Sequence, residues 1–354
     1  MEPAHEGKRY TNGSIKRPDQ AAWAAELPDR TIRLTQKVQF PCPHYLTGRC
    51  CSCSVAAETS GPDGGTDLAA YLAHAVRLKE SHLQAELASL LAQIPSGTPA
   101  VQPMFAPQTV LPSRAKAKIA VSGALAQPIL GLIDDNYRGI ELLDCPLHFP
   151  LLNRLIRYIR EMIPRYKLFP YDINTRRGEL KALLLVCRRD ETQAMVRFVL
   201  RSSEALPRVK KAALELQNTF PEAQVISANI QPLPAAILEG TEEYLFSSAD
   251  CIWEDYGICR IALAPQCFLQ VTPETASALY AHAASWTKRL GSRRILDLYC
   301  GAGAFSLACA AHSASLRGLE ISPRAVECAR LGAADAALHA VDFICADADS
   351  DTES

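Results

Sequence analysis

Long apolar runs are missing from this sequence of 354 residues. None approaches the roughly 20 consecutive apolar residues of a membrane-spanning helix, which excludes that class. The first 38 residues are polar and charged and lack the apolar core of a secretory signal, so a cytoplasmic location is expected. No fixed period recurs along the chain, which argues against a solenoid or propeller. Net charge is scarce as well, since 37 Lys+Arg and 38 Asp+Glu leave −1. Cysteine, by contrast, is plentiful at 13 residues. In a small secreted chain that number would read as a disulfide framework. In a long chain expected to be cytoplasmic it points to metal, cluster or redox chemistry, or to packing.

The length suits two or three domains with their own cores. Charge is unevenly placed: residues 101–215 hold 19 Lys+Arg and 11 Asp+Glu, while the rest hold 18 and 27. A basic middle with acidic flanks allows a polyanionic partner. Residues 1–38 read as a disordered extension, and Cys42 to Cys53 as a Cys-rich knot. Residues 56–67 read as a linker and 68–91 as a helix, followed by a Pro-rich stretch. From Ala115 to about Val271 the pattern is mainly β. Strands are expected over 118–122, 182–187, 194–200 and 224–230, with helices over 151–158 and 208–216. From Pro273 onward a helix to Leu290 precedes strand 294–299, helix 304–311, strand 315–321, helix 323–338 and strand 341–346. That alternation is the first half of a doubly wound parallel sheet.

The run Asp297-Leu-Tyr-Cys-Gly-Ala-Gly303 joins the first strand of that half to its helix. Gly301 and Gly303 let the chain turn sharply and bring backbone N–H groups close to a ligand. Glu320, at the end of the next strand, has the spacing of a carboxylate that binds ribose hydroxyls. The third glycine of the dinucleotide fingerprint is missing, and the turn is closer to motif I of S-adenosylmethionine (SAM) methyltransferases. Asp347 then lies where such proteins often contact the adenine. The competing reading is a tight strand–helix turn with no ligand, and an acidic tail that is merely solvated.

Cys42-x7-Cys50-x2-Cys53 forms a compact trio, and Cys145 in Asp144-Cys-Pro146 is a plausible fourth thiol. Four thiolates hold either a [4Fe–4S] cluster or a structural zinc. Uneven spacing favours the cluster without deciding the matter. Cys51 reads as a spare thiol. Cys187, Cys251, Cys259, Cys267, Cys309, Cys328 and Cys345 read as packing residues.

Taken together, several segments resemble the RNA uracil-C5 methyltransferase family, specifically its 23S ribosomal RNA (RlmC) type. They are the cysteine trio, Arg114-Ala-Lys-Ala-Lys118 with Val121-Ser-Gly123, Asp144-Cys-Pro-Leu147 and Arg177-Gly-Glu-Leu-Lys181. Arg197-Phe-Val-Leu-Arg-Ser202, Asn229-Ile-Gln-Pro232, Pro265-Gln-Cys-Phe-Leu-Gln270 and Asp297-Leu-Tyr-Cys-Gly301 complete the set. The resemblance spans about Pro41 to Asp347. It implies an α/β fold: a Rossmann-like SAM methyltransferase domain over 261–354, limited to its first three strands. Before it would come an iron–sulfur segment over 39–112 and a mainly β, α+β RNA-binding domain over 113–260. It implies a [4Fe–4S] cluster on Cys42, Cys50, Cys53 and Cys145, and SAM contacts at Gln270, Tyr299 and Glu320, beside Gly301, Gly303 and Asp347. The implied partner is 23S rRNA, modified at uracil 747; no DNA or membrane role is expected, and the sequence leaves the oligomeric state open, with a monomer expected.

The family reaction sharpens one expectation. Uracil C5 is a poor nucleophile until a cysteine thiolate adds to C6, and a base later removes the C5 proton. The family's Asn-Pro-Pro or Asp-Pro-Pro and Ser-Cys-Asn motifs are not present, so the catalytic groups are expected beyond Ser354 and the chain is expected to be truncated and inactive. Cys300 lies in the cofactor turn and is not expected to replace the nucleophile. Arg114, Lys116, Lys118, Arg176, Arg177, Lys181, Arg197 and Arg201 are the candidate phosphate contacts. Rival readings are a non-catalytic iron–sulfur RNA-binding protein, a tRNA uracil-54 methyltransferase relative and a zinc protein.

Overall fold

The computed structural model describes residues 9–11, 81–86, 88–89, 105, 112–134, 136–234 and 239–349. These fall into two units, one of residues 1–15 and 109–354, the other of residues 16–108. In the second, residues 81–86 and 88–89 are helical, inside the helix expected over 68–91, and Leu83 there is exposed. Cys42, Cys50 and Cys53 lie outside the described residues, as does most of the expected 1–38 extension and 39–112 segment.

The first unit is built on an eight-stranded sheet. Its strands are β1 (Arg9–Thr11), β2 (Lys116–Ala124), β3 (Gln127–Ile133), β4 (Gly139–Glu141), β5 (Leu180–Cys187), β6 (Ala194–Leu200), β7 (Ala223–Ile230) and β8 (Glu242–Leu245). Their order is β1-β8-β7-β6-β5-β2-β3-β4. All pairs are antiparallel except β6 with β7, which are parallel and joined by a helical crossover. β5 and β6 are near-continuous apolar runs, and both sit mid-sheet, buried on two faces.

Two helices, α1 (Pro150–Arg165) and α2 (Leu206–Thr219), cover one face. Leu151, Leu152, Leu155, Ile156, Ile159, Met162 and Ile163 form the buried stripe of α1 at helical spacing. The helix outruns its expected end at residue 158 because that stripe continues. Pro164, a helix breaker, falls in the final turn. The stripe packs with Val209, Ala212, Ala213 and Leu216 of α2 on Ile119, Leu183, Leu185, Val196 and Phe198 of the sheet.

β1 departs from the expectation of a disordered start. Residues 9–11 pair antiparallel with Glu242–Tyr244 of β8. Without that pairing β8 would be the sheet's outer strand with its backbone donors open, and a short polar segment suffices to close it.

The remaining elements are β9 (Ile252–Asp255), β10 (Arg260–Leu263), α3 (Pro273–Leu290), β11 (Arg294–Leu298), α4 (Ala304–Ala310), β12 (Ser315–Glu320), α5 (Pro323–Asp335) and β13 (Val341–Cys345). β11, β12 and β13 form a parallel sheet in that order, in the alternating pattern the sequence predicts. β9 and β10 form an antiparallel hairpin. β10 packs on α5 so closely that a Cβ added to Gly332 would meet the Arg260 carbonyl at 3.3 Å, and Arg260 pairs with Asp335 at 2.9 Å. A boundary at residues 260/261 therefore cuts this hairpin. Val186, Met195 and Val225 of the large sheet share one core with Ile261, Leu263, Leu307, Val326 and Phe343. Among the described residues β11 is an outer strand, and its Leu296 and Leu298 are exposed.

Candidate cofactor site at the first strand–helix turn

The end of β11 reverses through three residues in the left-handed region: Tyr299 at φ 60°, Gly301 at 57° and Gly303 at 82°. Glycine relieves the strain at two of these positions, and tyrosine bears it at the third. The two glycines differ in their surroundings. A Cβ on Gly303 would approach Ala329 and Phe343 at 3.0 Å, so this glycine lets the turn settle on the core. A Cβ on Gly301 would meet nothing within 4 Å, so that side of the turn is open to a ligand.

Glu320 closes the turn. One carboxylate oxygen accepts the Gly301 N–H at 3.1 Å, and the other accepts the Ser322 N–H at 2.9 Å. Ser322 in turn caps α5, its hydroxyl accepting the Ala325 N–H. Asp297, at the base, accepts a hydrogen bond from the Ser306 hydroxyl at 2.6 Å, and burial raises its carboxyl above the ordinary aspartate range. The Tyr299 hydroxyl donates to Asp349, a bond that raises the phenol pKa. Asp347 accepts the Asp349 N–H at 3.0 Å. Around this one turn, Glu320 is bonded to Gly301, Asp347 is linked to Tyr299 through Asp349, and Gly303 rests on Ala329 and Phe343.

Gln270 is placed separately, half-buried in the loop before α3. That loop rests on α5, its Cys267 and Leu269 sharing one buried cluster with Val326 and Cys328. Asp349, Ser306 and Ser322 are site residues that sequence reasoning missed. The serines had no signal beyond a helix-start position. Asp349 was one acid in a row that read as solvated tail.

Cys300 is buried, its N–H donates to the Leu319 carbonyl, and burial together with Asp297 and Glu320 pushes its thiol up to about 12. Such a thiol is almost wholly protonated at neutral pH and unfit as a nucleophile. Cys145 is 8% exposed, and its carbonyl accepts from Asn153 at 2.9 Å and from the His148 N–H at 3.1 Å. Among the described residues no three His, Cys, Asp or Glu side chains form a metal-holding group.

The expected phosphate contacts are partly corrected. Arg197 is 1% exposed and forked onto Glu243 at 2.5 and 2.9 Å, so it cannot reach a phosphate. The register explains this: β6 puts Arg197 over Ser227 of β7, and Glu243 comes from β8 one strand further on. Arg201 is bound by Glu179, and Lys181 by Gln231 and the Leu233 carbonyl. Lys116 is partly buried near Arg197 and Lys118, and burial foremost lowers its pKa. Lys118, Arg176 and Arg177 are exposed.

A strand, a glycine turn braced by the next strand's carboxylate, and a following helix define a Rossmann-like methyltransferase half-sheet. Residues 260–354 match the Methyltransferase small domain family. Over 307 residues the chain is 38% identical to the 23S rRNA (uracil(747)-C(5))-methyltransferase RlmC of Edwardsiella ictaluri (strain 93-146), covering 86% of this chain and 76% of that protein. It is 41% identical over 230 residues to the protein of the same name in Proteus mirabilis, covering 65% of this chain and 61% of that one. The crystal structure of Pyrococcus abyssi tRNA (uracil-54, C5)-methyltransferase with S-adenosyl-L-homocysteine matches with a TM-score of 0.60 at 16% identity, over 77% of this chain and 63% of that one. At that identity the likeness is one of fold. The chain belongs to the RlmC family of 23S rRNA uracil-C5 methyltransferases.

Proposed function

We propose that this chain serves SAM-dependent methylation of uracil C5 in 23S rRNA, with the turn after β11 as its cofactor site. The observation that carries the reading is the Glu320 carboxylate bracing the Gly301 N–H beside an open flank of the turn. Glu320 would hold the ribose hydroxyls, Asp347 the adenine edge, and Gln270 and Tyr299 the rest of the donor. When bound, SAM supplies an electrophilic methyl group. The chain's own contribution at this turn is binding and orientation, since Cys300 stays protonated.

A second cofactor belongs to the same reading. Four thiols, Cys42, Cys50, Cys53 and Cys145, are a donor set suited to a [4Fe–4S] cluster. Cys145 fits such a role in being largely shielded from water and fixed by its backbone bonds to Asn153 and His148. Zinc is the alternative, and iron, sulfide and zinc analysis of anaerobically purified chain separates the two.

The substrate is tested by binding. Labelled 23S fragments containing uracil 747 and a tRNA containing uracil 54 are titrated with the chain in saturating SAM. The reading expects the 23S fragment to bind more tightly. Equal or stronger binding to tRNA would contradict it.

A further inference from the structure

The strand cations that the sequence points to are largely engaged inside the protein, which leaves open where the excess positive charge of the middle region goes. Much of it is on the helix layer. Residues 150–167 hold five Lys+Arg and one carboxylate, and α2 holds three and one. Glu141, Glu204 and Glu222 reach in to Arg160, Arg208 and Arg154. Glu191 accepts the Leu151 N–H at the start of α1, so eight cations face six carboxylates, a net of +2 in one layer.

The layer is also organised. α1 and α2 are joined along a seam, where Glu215 accepts hydrogen bonds from Tyr158 at 2.8 Å and Tyr166 at 2.5 Å and pairs with Arg165 at 2.7 Å. Arg154 stacks over Phe220 with its guanidinium 5.4 Å from the ring centre. The seam uses up its own carboxylate, so the surrounding cations are not neutralised by it. On α1 the buried stripe faces the sheet, which turns Arg154, Arg157 and Arg165 outward over about 16 Å of helix. Arg157, Lys167 and Lys211 are exposed and pair with no carboxylate among the described residues.

We infer that the outer face of α1 and α2 is a docking surface for the phosphate backbone of the RNA substrate, away from the β11 turn. The inference rests on the RNA reading above and names the surface that reading lacks. Charge complementarity selects the occupant. A row of outward guanidinium and ammonium groups suits a polyanion read by its backbone and not by its bases.

The test is a salt titration of RNA binding with the full chain. In the triple variant Arg157→Gln, Lys167→Gln, Lys211→Gln, no ion pair described here is lost, so the fold is left intact and is checked by its melting profile. Each lost phosphate contact removes about 0.7–0.9 from the slope of log K against log salt. The variant should therefore lose about 2 of the parent's slope on the 23S fragment, while Arg157→Lys keeps it. SAM binding, measured in parallel, should not move in either. Equal slopes for parent and triple variant would overturn the inference, as would a parent that binds anionic lipid vesicles in place of RNA. A parent that takes up SAM but binds no RNA would remove the surface and leave the cofactor site. A parent whose RNA binding depends on these residues but which takes up no SAM would do the reverse.

Discussion

At the scale of single residues, the environment decides what each ionisable group can do. Glu254 is the clearest case away from the cofactor turn. It is 1% exposed, accepts the Arg189 N–H at 3.1 Å, and burial pushes its carboxyl up to about 7 from an ordinary 4.5. The folded chain therefore holds this proton more firmly than the unfolded chain. The stabilisation is complete below pH 4.5, is lost as pH rises to about 7, and stays lost above that. The swing is at most about 3 kcal/mol, at 1.36 kcal/mol for each pH unit. Glu254→Gln should be steadier than the parent at pH 8 and should flatten the parent's decline between pH 5 and 7. Denaturant midpoints measured across that range check this, and identical profiles for the two proteins would rule it out. Nothing in the local sequence marks Glu254. Its burial comes from the β5–β6 turn folding over β9, a contact between residues 65 apart.

At the scale of elements, strong periodicity was legible and partnership was not. β6 and α3 occupy the residues that their apolar patterns predict, and α1 was found but cut short. β1 could not be read, because three polar residues have no period and their strand exists only through β8. The same blindness affected Arg197. A cation on a strand reads as a solvated charge until the sheet order brings Glu243 and Asn229 around it. This network joins β6, β7 and β8, with the Asn229 amide donating to Glu243 at 2.9 Å and to the Gly240 carbonyl at 3.1 Å. Arg197→Ala would strand a buried carboxylate and should destabilise the fold by about 3–5 kcal/mol. Chemical denaturation checks the loss. A variant of parental stability with a reduced RNA salt slope would instead place Arg197 on the RNA.

At the largest scale, within the first unit, the eight-stranded sheet, the β9–β10 hairpin and the β11–β13 sheet share one core, and that core holds the β11 turn against the α+β domain. Met195 and Val225 of the large sheet pack in the same cluster as Leu307 and Phe343. The Gln270 loop crosses this junction, and the Val271 carbonyl accepts the Ala115 N–H at 2.8 Å. This core packs on the sheet face that carries Lys116, and the helix layer lies on the other side of that sheet. The doubly wound alternation, the glycine turn and Glu320 were all legible, because each depends on local geometry. The bracing contacts of Asp349, Ser306 and Ser322 needed the fold.

Whether the β11 turn and Glu320 hold the methyl donor is measured directly by isothermal titration of SAM into the parent chain and into Glu320→Ala, both confirmed folded. One-site binding by the parent and at least a tenfold weaker constant for the variant are expected, a difference of about 1.4 kcal/mol. Equal affinity in the two proteins, or no heat of binding in the folded parent, would contradict this.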